Sequence, residues 1–167
     1  MFYRPDDGHG LPRDPFNSII VPRPIGWIST RSAEGIDNLA PYSFFNAVAY
    51  SPPQVMFAAT SGHTFGGLKD SPSNARETGC FVVNLATWTL REAMSASSVP
   101  APHDVDEFEF AGLTKAEGVA VAAPRVAESP VSLECEYTQA LHLPSQEGDD
   151  NTVTFGRVVG VHIDESV

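Results

Sequence analysis

Prolines and glycines interrupt this chain too often for a helical bundle: 14 of one and 13 of the other are spread through 167 residues. That spacing suits short strands joined by turns. Residues 24–30 (PIGWIST) read as a strand, with the polar run 31–37 and its Glu34-Gly35 as a hairpin connection. Residues 42–50 (YSFFNAVAY) are rich in β-formers and stop at Pro52-Pro53, after which 54–60 (QVMFAAT) resume as a strand. The run CFVVNL at 80–85 is apolar enough for a buried strand. Residues 131–138 alternate most clearly. Val131, Leu133, Cys135 and Tyr137 fall on one face, and Ser132, Glu134, Glu136 and Thr138 on the other. Residues 152–163 form a long last strand, or two, with glycines marking bends.

Two helices have start signals. In KDSPSNARETG, Ser71 can cap, Pro72 fits the first position and Gly79 can end the helix. In TWTLREAMSASS, Thr89 and Glu92 have capping-box spacing, ahead of a helix to about Ser97. Residues 1–17 are polar and proline-punctuated, a lead-in that packs late. One domain is expected, a closed or partly closed antiparallel barrel with helices packed outside.

With 42% hydrophobic and 19% charged residues the chain is globular in composition. Ten Lys and Arg against 21 Asp and Glu give a net charge of -11, which argues against nucleic acid as a partner. No apolar stretch approaches the ~18 residues of a membrane helix, and the opening MFYRPDDGHG does not read as a signal peptide, so the cytoplasm is expected. Cys80 and Cys135 stand far apart with no CxxC and read as buried hydrophobes rather than a disulfide or a zinc site.

GxSxG, HExxH, Walker and GxGxxG signatures are absent, and the five histidines (His9, His63, His103, His142, His162) lack ligand spacing. The densest polar cluster, His103-Asp104-Val105-Asp106-Glu107, follows Pro-Ala-Pro and reads as a solvated acidic loop. Lys69 just before a helix start, with Ser71 at its cap, offers an ammonium, free N–H groups and a helix dipole to an anion such as phosphate. The same residues also fit an ordinary capped helix with a surface lysine. Leu39, Ala40 and Pro41 could wall a planar heterocycle, with Asn38 and Ser43 hydrogen-bonding its edge; equally, Asn38 could be a turn residue and Ser43 a strand filler.

Read together, PRPIGWIST at 22–30, NLAPYSFFN at 38–46, SPP at 51–53, KDSPSN at 69–74, DEFEFAGL at 106–113 and PRVAESPVSLECEY at 124–137 resemble the flavin reductase-like family of FMN-binding split barrels. The order and spacing agree from about residue 12 to the end. The resemblance implies a mainly β fold, a Greek-key split β-barrel with short flanking helices, that dimerises and holds flavin in a groove near the subunit interface. It implies that Ser29 and Thr30 lie where the first strand meets the flavin. Asn38, Leu39, Ala40, Pro41, Tyr42 and Ser43 would line the isoalloxazine ring. Asn46 and the Lys69, Asp70, Ser71 segment would lie toward the ribityl and phosphate end. Ser71 stands where the family usually has Thr, and the hydroxyl is kept. Members commonly continue with a segment carrying Arg, paired glycines and Tyr, whereas this sequence ends at Val167.

The function implied is an FMN-dependent oxidoreductase passing hydride from NADH or NADPH to flavin. Electrons then go to a small-molecule or redox-protein acceptor. A non-catalytic FMN-binding electron carrier is the alternative, and a split-barrel oxidase of the vitamin B6 phosphate type a more distant one. Flavin does the chemistry in either main reading, so no protein acid, base or metal is required. The aromatic set Trp27, Tyr42, Phe44, Phe45 and Tyr50 exceeds what one small barrel hides, which with the resemblance predicts a homodimer.

Overall fold

The computed structural model describes residues 1–145 and 151–167. Nine strands follow in order: β1 Gly26–Arg31, β2 Asp37–Tyr42, β3 Phe45–Tyr50, β4 Pro53–Ala59, β5 Cys80–Leu85, β6 Lys115–Ala116, β7 Arg125–Val126, β8 Val131–Leu143 and β9 Asn151–Ile163. Four short helices accompany them: α1 Phe16–Ile19, α2 Asp70–Thr78, α3 Arg91–Ala96 and α4 Glu107–Phe110. Among the described residues seven strands make one sheet in the order β2-β1-β5-β8-β9-β4-β3, all neighbours antiparallel, and β6 pairs only with β7.

This order dictates closure. β2 and β3 are opposite edges of the sheet, yet only Ser43 and Phe44 separate them in the chain. A flat seven-stranded sheet would hold its edges ~29 Å apart, whereas two linking residues reach about 10 Å. The sheet therefore curls until its edges meet, and Tyr42 at the end of β2 packs on Phe57 of β4; the Ala58 N–H, donating to the Phe44 carbonyl at 2.8 Å, extends the β3–β4 ladder into the linker. No ladder joins β2 to β3 among the described residues, which leaves the barrel split. The expected single strand over 42–50 is thus two strands bent at Ser43-Phe44, and the strand β2 begins earlier, at Asp37.

Inside the barrel, Ile28, Val55, Phe57, Phe81, Val83 and Cys135 form the main core with Tyr42. The Phe57 ring centroid lies 5.0 Å from Tyr42 and 5.2 Å from Phe81. On the outer face of β1 and β2, Trp27 and Leu39 pack with Phe108 and Val126 beneath Leu90, Ala93 and Met94. Strand alternation sends neighbouring residues to these two different cores, so β1 is buried on both faces. Trp27 and Tyr42 are therefore hidden within one chain, which removes them from the aromatic surplus expected to face a partner; Tyr50 remains fully open on edge strand β3.

Strand β8 departs from its expected two-faced pattern. Ser132 and Glu134, assigned to the polar face, are buried, because residues 117–126 fold over them. Burial works to raise the Glu134 carboxyl, but the Val119, Ala120 and Val121 N–H groups and the His162 ring outweigh it and bring it down to about 2. A register shift between Glu134 and Cys135 then resets the alternation. Both cysteines are buried and free, and burial pushes the Cys135 thiol up to about 12.

The helices also begin otherwise than expected. Lys69 is the N-cap of α2 and Pro72 its third residue, while Gly79 ends it in the left-handed conformation at φ 78°. Thr89 lies in a 3-10 turn, where Thr87 and Thr89 share a hydrogen bond and no capping box forms. Among the described residues no helix is long and apolar enough to cross a membrane.

Candidate functional site

A cleft of about 210 Å³ opens where β2, the first turn of α2 and two loops converge. Ala40, Pro41 and Tyr42 form one wall, residues 61–64 and 97–101 two others, and Lys69, Asp70 and Ser71 close the end. A second cleft of about 260 Å³ shares Pro41, Tyr42 and Lys69 with it and adds Arg23, Ser43, Phe44 and Thr60. Joined, the two fall within the ~300–1,000 Å³ of small-molecule sites.

The backbone of β2 explains this wall. As an edge strand it pairs with β1 alone. The Leu39 N–H donates to Glu107 Oε2 at 3.0 Å, so Leu39 and, two residues on, Pro41 turn their backbone polar groups away from β1. Proline lacks an N–H, and an edge facing outward tolerates that. What Pro41 offers there is a carbonyl acceptor for which no hydrogen-bond donor stands among the described residues.

Under the cleft lies a buried polar floor. Ser71 Oγ donates to Asn38 Oδ1 at 2.7 Å, Thr30 Oγ1 to the same oxygen at 3.3 Å, and Asn74 Nδ2 to Thr30 Oγ1 at 3.1 Å. Asn38 Nδ2 donates to Glu107 at 3.1 Å. Burial raises the Glu107 carboxyl, against the hydrogen bonds it accepts. Ser71 thus braces the floor and does not cap α2.

Of the sequence-predicted residues, Asn38, Ala40, Pro41, Tyr42, Ser43, Lys69, Asp70 and Ser71 line one or both clefts. Leu39 is fully buried in the outer core and contributes backbone only. Ser29 and Thr30 are buried behind the wall, Ser29 donating to the Pro124 carbonyl at 2.5 Å. Asn46 lines neither cleft; it is exposed on β3 and accepts from the Ala47 N–H.

Lys69 makes no ion pair among the described residues, and burial lowers its ammonium. Arg23, which sequence reasoning passed over, is the second cation at these clefts. Its Nη1 donates to the Asn17 and Ile20 carbonyls, its Nε is buried with no partner among the described residues, and its guanidinium lies 5.6 Å from the Phe44 ring centroid. In a chain of net charge -11, two cations that make no ion pair among the described residues meet at the second cleft, while Asp70 and Glu107 line the first. Only the PRP context marked Arg23 in the sequence.

The cluster at 103–107 is the solvated loop expected of it only at its start, where His103 and Asp104 are exposed. Asp106 caps α4 by accepting from the Phe108 N–H at 2.9 Å and pairs with Lys115. Glu107 is buried behind the cleft wall, and His103 joins Asp70. Proximity in sequence exposed the residue types but not the N–H groups they would meet.

A family-wide comparison matches residues 18–167 to the Flavin reductase like domain. The chain belongs to that family. An uncharacterized protein of Aquifex aeolicus is 39% identical over 149 residues, 89% of this chain and 73% of the relative. Another from Deinococcus radiodurans is 35% identical over 150 residues, 87% of this chain and 63% of the relative. Among solved structures, nitrilotriacetate monooxygenase component B from Bacillus cereus superposes with a TM-score of 0.87 at 29% identity, covering 99% of this chain and 82% of that one. The 2-nitrobenzoate 2-nitroreductase of Pseudomonas fluorescens gives 0.79 at 25% identity, over 90% and 70%. Membership in the flavin reductase-like family accounts for the Greek-key split barrel and places the chain among proteins of flavin-related redox chemistry.

Proposed function

We propose that the joined clefts bind FMN and that this flavin reductase-like protein is an NAD(P)H-dependent oxidoreductase. The observation that carries the reading is the pairing of a strand-edge wall at Ala40–Tyr42 with two cations, Lys69 and Arg23, that make no ion pair among the described residues. FMN combines a planar ring that wants backbone partners with a phosphate that wants cations. Pro41 would present its carbonyl to the ring's polar edge, Tyr42 would wall the ring, and Lys69 would meet the phosphate. When bound, the flavin supplies the redox chemistry, taking a hydride from NADH or NADPH and giving electrons to a small-molecule or protein acceptor. The chain's residues would hold and orient it, and that division of labour asks for no protein acid or base in the hydride step. We place the protein in the cytoplasm as a homodimer, with exposed Val48 and Tyr50 on edge strand β3 available for a second copy.

The purified protein is expected to take up FMN and show its visible spectrum, and to bleach when NADH or NADPH is added without oxygen. A yellow protein that ignores both would make it an electron carrier; a colourless one that never takes up FMN would end the reading.

A further inference from the structure

Beside the cleft, His63, Asp70 and His103 gather from three separate segments. His103 Nδ1 lies 2.6 Å from Asp70 Oδ1, and its Nε2 lies 3.2 Å from the Gly66 carbonyl oxygen. Both ring nitrogens thus face acceptors. A neutral imidazole carries one N–H, and only the imidazolium satisfies both. His63 shows the complementary state: its Nδ1 accepts from the Phe65 N–H at 3.1 Å, so its proton sits on Nε2, which faces Asp70 Oδ2 at 3.5 Å. The two rings stack at 4.1 Å, a charged ring on a neutral one.

These bonds tie three parts of the cleft together. The loop 61–67 supplies one wall through residues 61–64, and its tip turns on Gly66 and Gly67, at φ 98° and 76°. The segment 97–101, which leads to His103, supplies the opposite wall, and Asp70 begins α2 between them. We propose that His103 is a positioning residue for the cofactor cleft: as an imidazolium it holds loop 61–67 against the first turn of α2, and its deprotonation releases that loop. The cofactor part of this rests on the flavin reading; the clasp itself does not.

The surroundings favour the proton. The hydrogen bond to Asp70 raises His103 above the usual imidazole value against the desolvation that lowers it, and the Asp70 charge, the Gly66 carbonyl and Asp104 add to the rise. Glu34, from the β1–β2 connection, lines the same depression as Asp70, His103 and Asp104. The Asp70 charge reaches Glu107 on α4, His63 faces Asp70 from the loop, and Lys69, the residue before it in the chain, lines the cleft. With a raised histidine, the clasp is fully present below the ordinary value of 6.5 and is lost as pH rises through the raised one.

The same three side chains place ligand atoms within 4.8 Å of one another, as a transition ion would require. Metal on His63 Nε2, however, would force its proton onto Nδ1, where the Phe65 N–H already donates. A proton fits the bonding and an ion does not.

The test needs no flavin. Amide exchange across residues 62–67, corrected for intrinsic rates, is expected to lose about tenfold protection between about pH 6 and about pH 9. The loss should track the His103 titration followed by NMR. His103→Gln should be unprotected throughout, while His103→Arg, a permanent cation with donors for both acceptors, should stay protected and flat. FMN affinity should follow the same profile. Flat protection in the wild type, a wild-type profile in His103→Gln, or stoichiometric zinc binding abolished by His103→Gln would overturn the clasp. Protection that titrates as expected in a protein that binds no FMN would instead overturn the flavin reading and leave the clasp standing.

Discussion

Asn38 Nδ2 donates to Glu107 Oε2 at 3.1 Å, and through that contact a residue of the helix-bearing outer layer fixes the cleft wall from behind. The Leu39 N–H shares the same carboxylate oxygen, so one buried acceptor sets both a side chain and the backbone of β2. Asn38 then passes the constraint on, since its Oδ1 receives Ser71 from α2 and Thr30 from β1. The floor of the cleft is thereby held by three elements that are distant in sequence.

Removing that acceptor should be costly. Glu107→Leu leaves the Asn38 amide and the Leu39 N–H unpaired in a buried position and is expected to lose roughly 2–4 kcal/mol. Glu107→Gln keeps an acceptor and should hold the fold. Because burial raises this carboxyl, its ionisation weighs against the fold: the contribution is most favourable below the ordinary 4.5 and declines as pH rises through the raised value. Urea unfolding over that range should show the decline in the wild type and its absence in Glu107→Gln.

Much of the fold was legible in local patterns. β-formers between prolines and glycines marked most strands of the sheet, and Gly79 marked the end of α2. The cleft wall was legible as apolar Ala40 and Pro41 between hydrogen-bonding Asn38 and Ser43, and through the family resemblance; that these residues lie on an edge strand was not. What a sequence does not show is which buried donor each polar residue meets. Ser71 looked like a cap because Ser before Pro usually is one, but Asn38 lay closer to hand. Glu134 looked exposed because alternation assigned it to a polar face; three N–H groups arriving from residues 119–121 made burial favourable. Glu107 and His103 were hidden among acids for the same reason.

Glu134 makes a prediction of its own. With its carboxyl held near 2, the contribution is complete above the ordinary 4.5 and disappears as pH falls through about 2. Glu134→Gln should destabilise the protein at neutral pH by on the order of 3 kcal/mol, since the loop donors and His162 lose their anion. Denaturation midpoints measured from neutral pH downward should converge between wild type and variant over that acid window. A constant gap would mean the carboxylate is not what holds residues 119–121.

Gly156 reads in the sequence as a bend, but the structure gives it a second reason. A Cβ there would stand 2.4 Å from Cζ of the fully buried Phe81 ring, which is itself packed edge-on to Phe57. The ring has little room to move. Gly156→Ala is expected to cost roughly 1–3 kcal/mol by overpacking. Adding Phe81→Leu should recover part of the loss, and a double-mutant cycle reads the coupling directly.

The anion assignment can be separated from the ring assignment by comparing two ligands. Lys69 is half-buried, lacks an ion pair among the described residues, and stands at the junction of both clefts. Burial lowers its ammonium, so a bound phosphate would recover charge stabilisation that the apo site lacks. Lys69→Ala should therefore weaken FMN by roughly 1–2 kcal/mol, about tenfold, while riboflavin, which has no phosphate, should barely change. Ser43→Val offers the opposite signature. It puts an apolar branch in the second cleft where a hydroxyl can meet the ring's polar edge, and should lower affinity for both ligands by roughly 1–3 kcal/mol. Titrations of the two variants by fluorescence quenching distinguish the cases. Equal loss of FMN and riboflavin in Lys69→Ala would take the phosphate away from Lys69, and the guanidinium of Arg23, its buried Nε without a partner among the described residues, would become the position to substitute next.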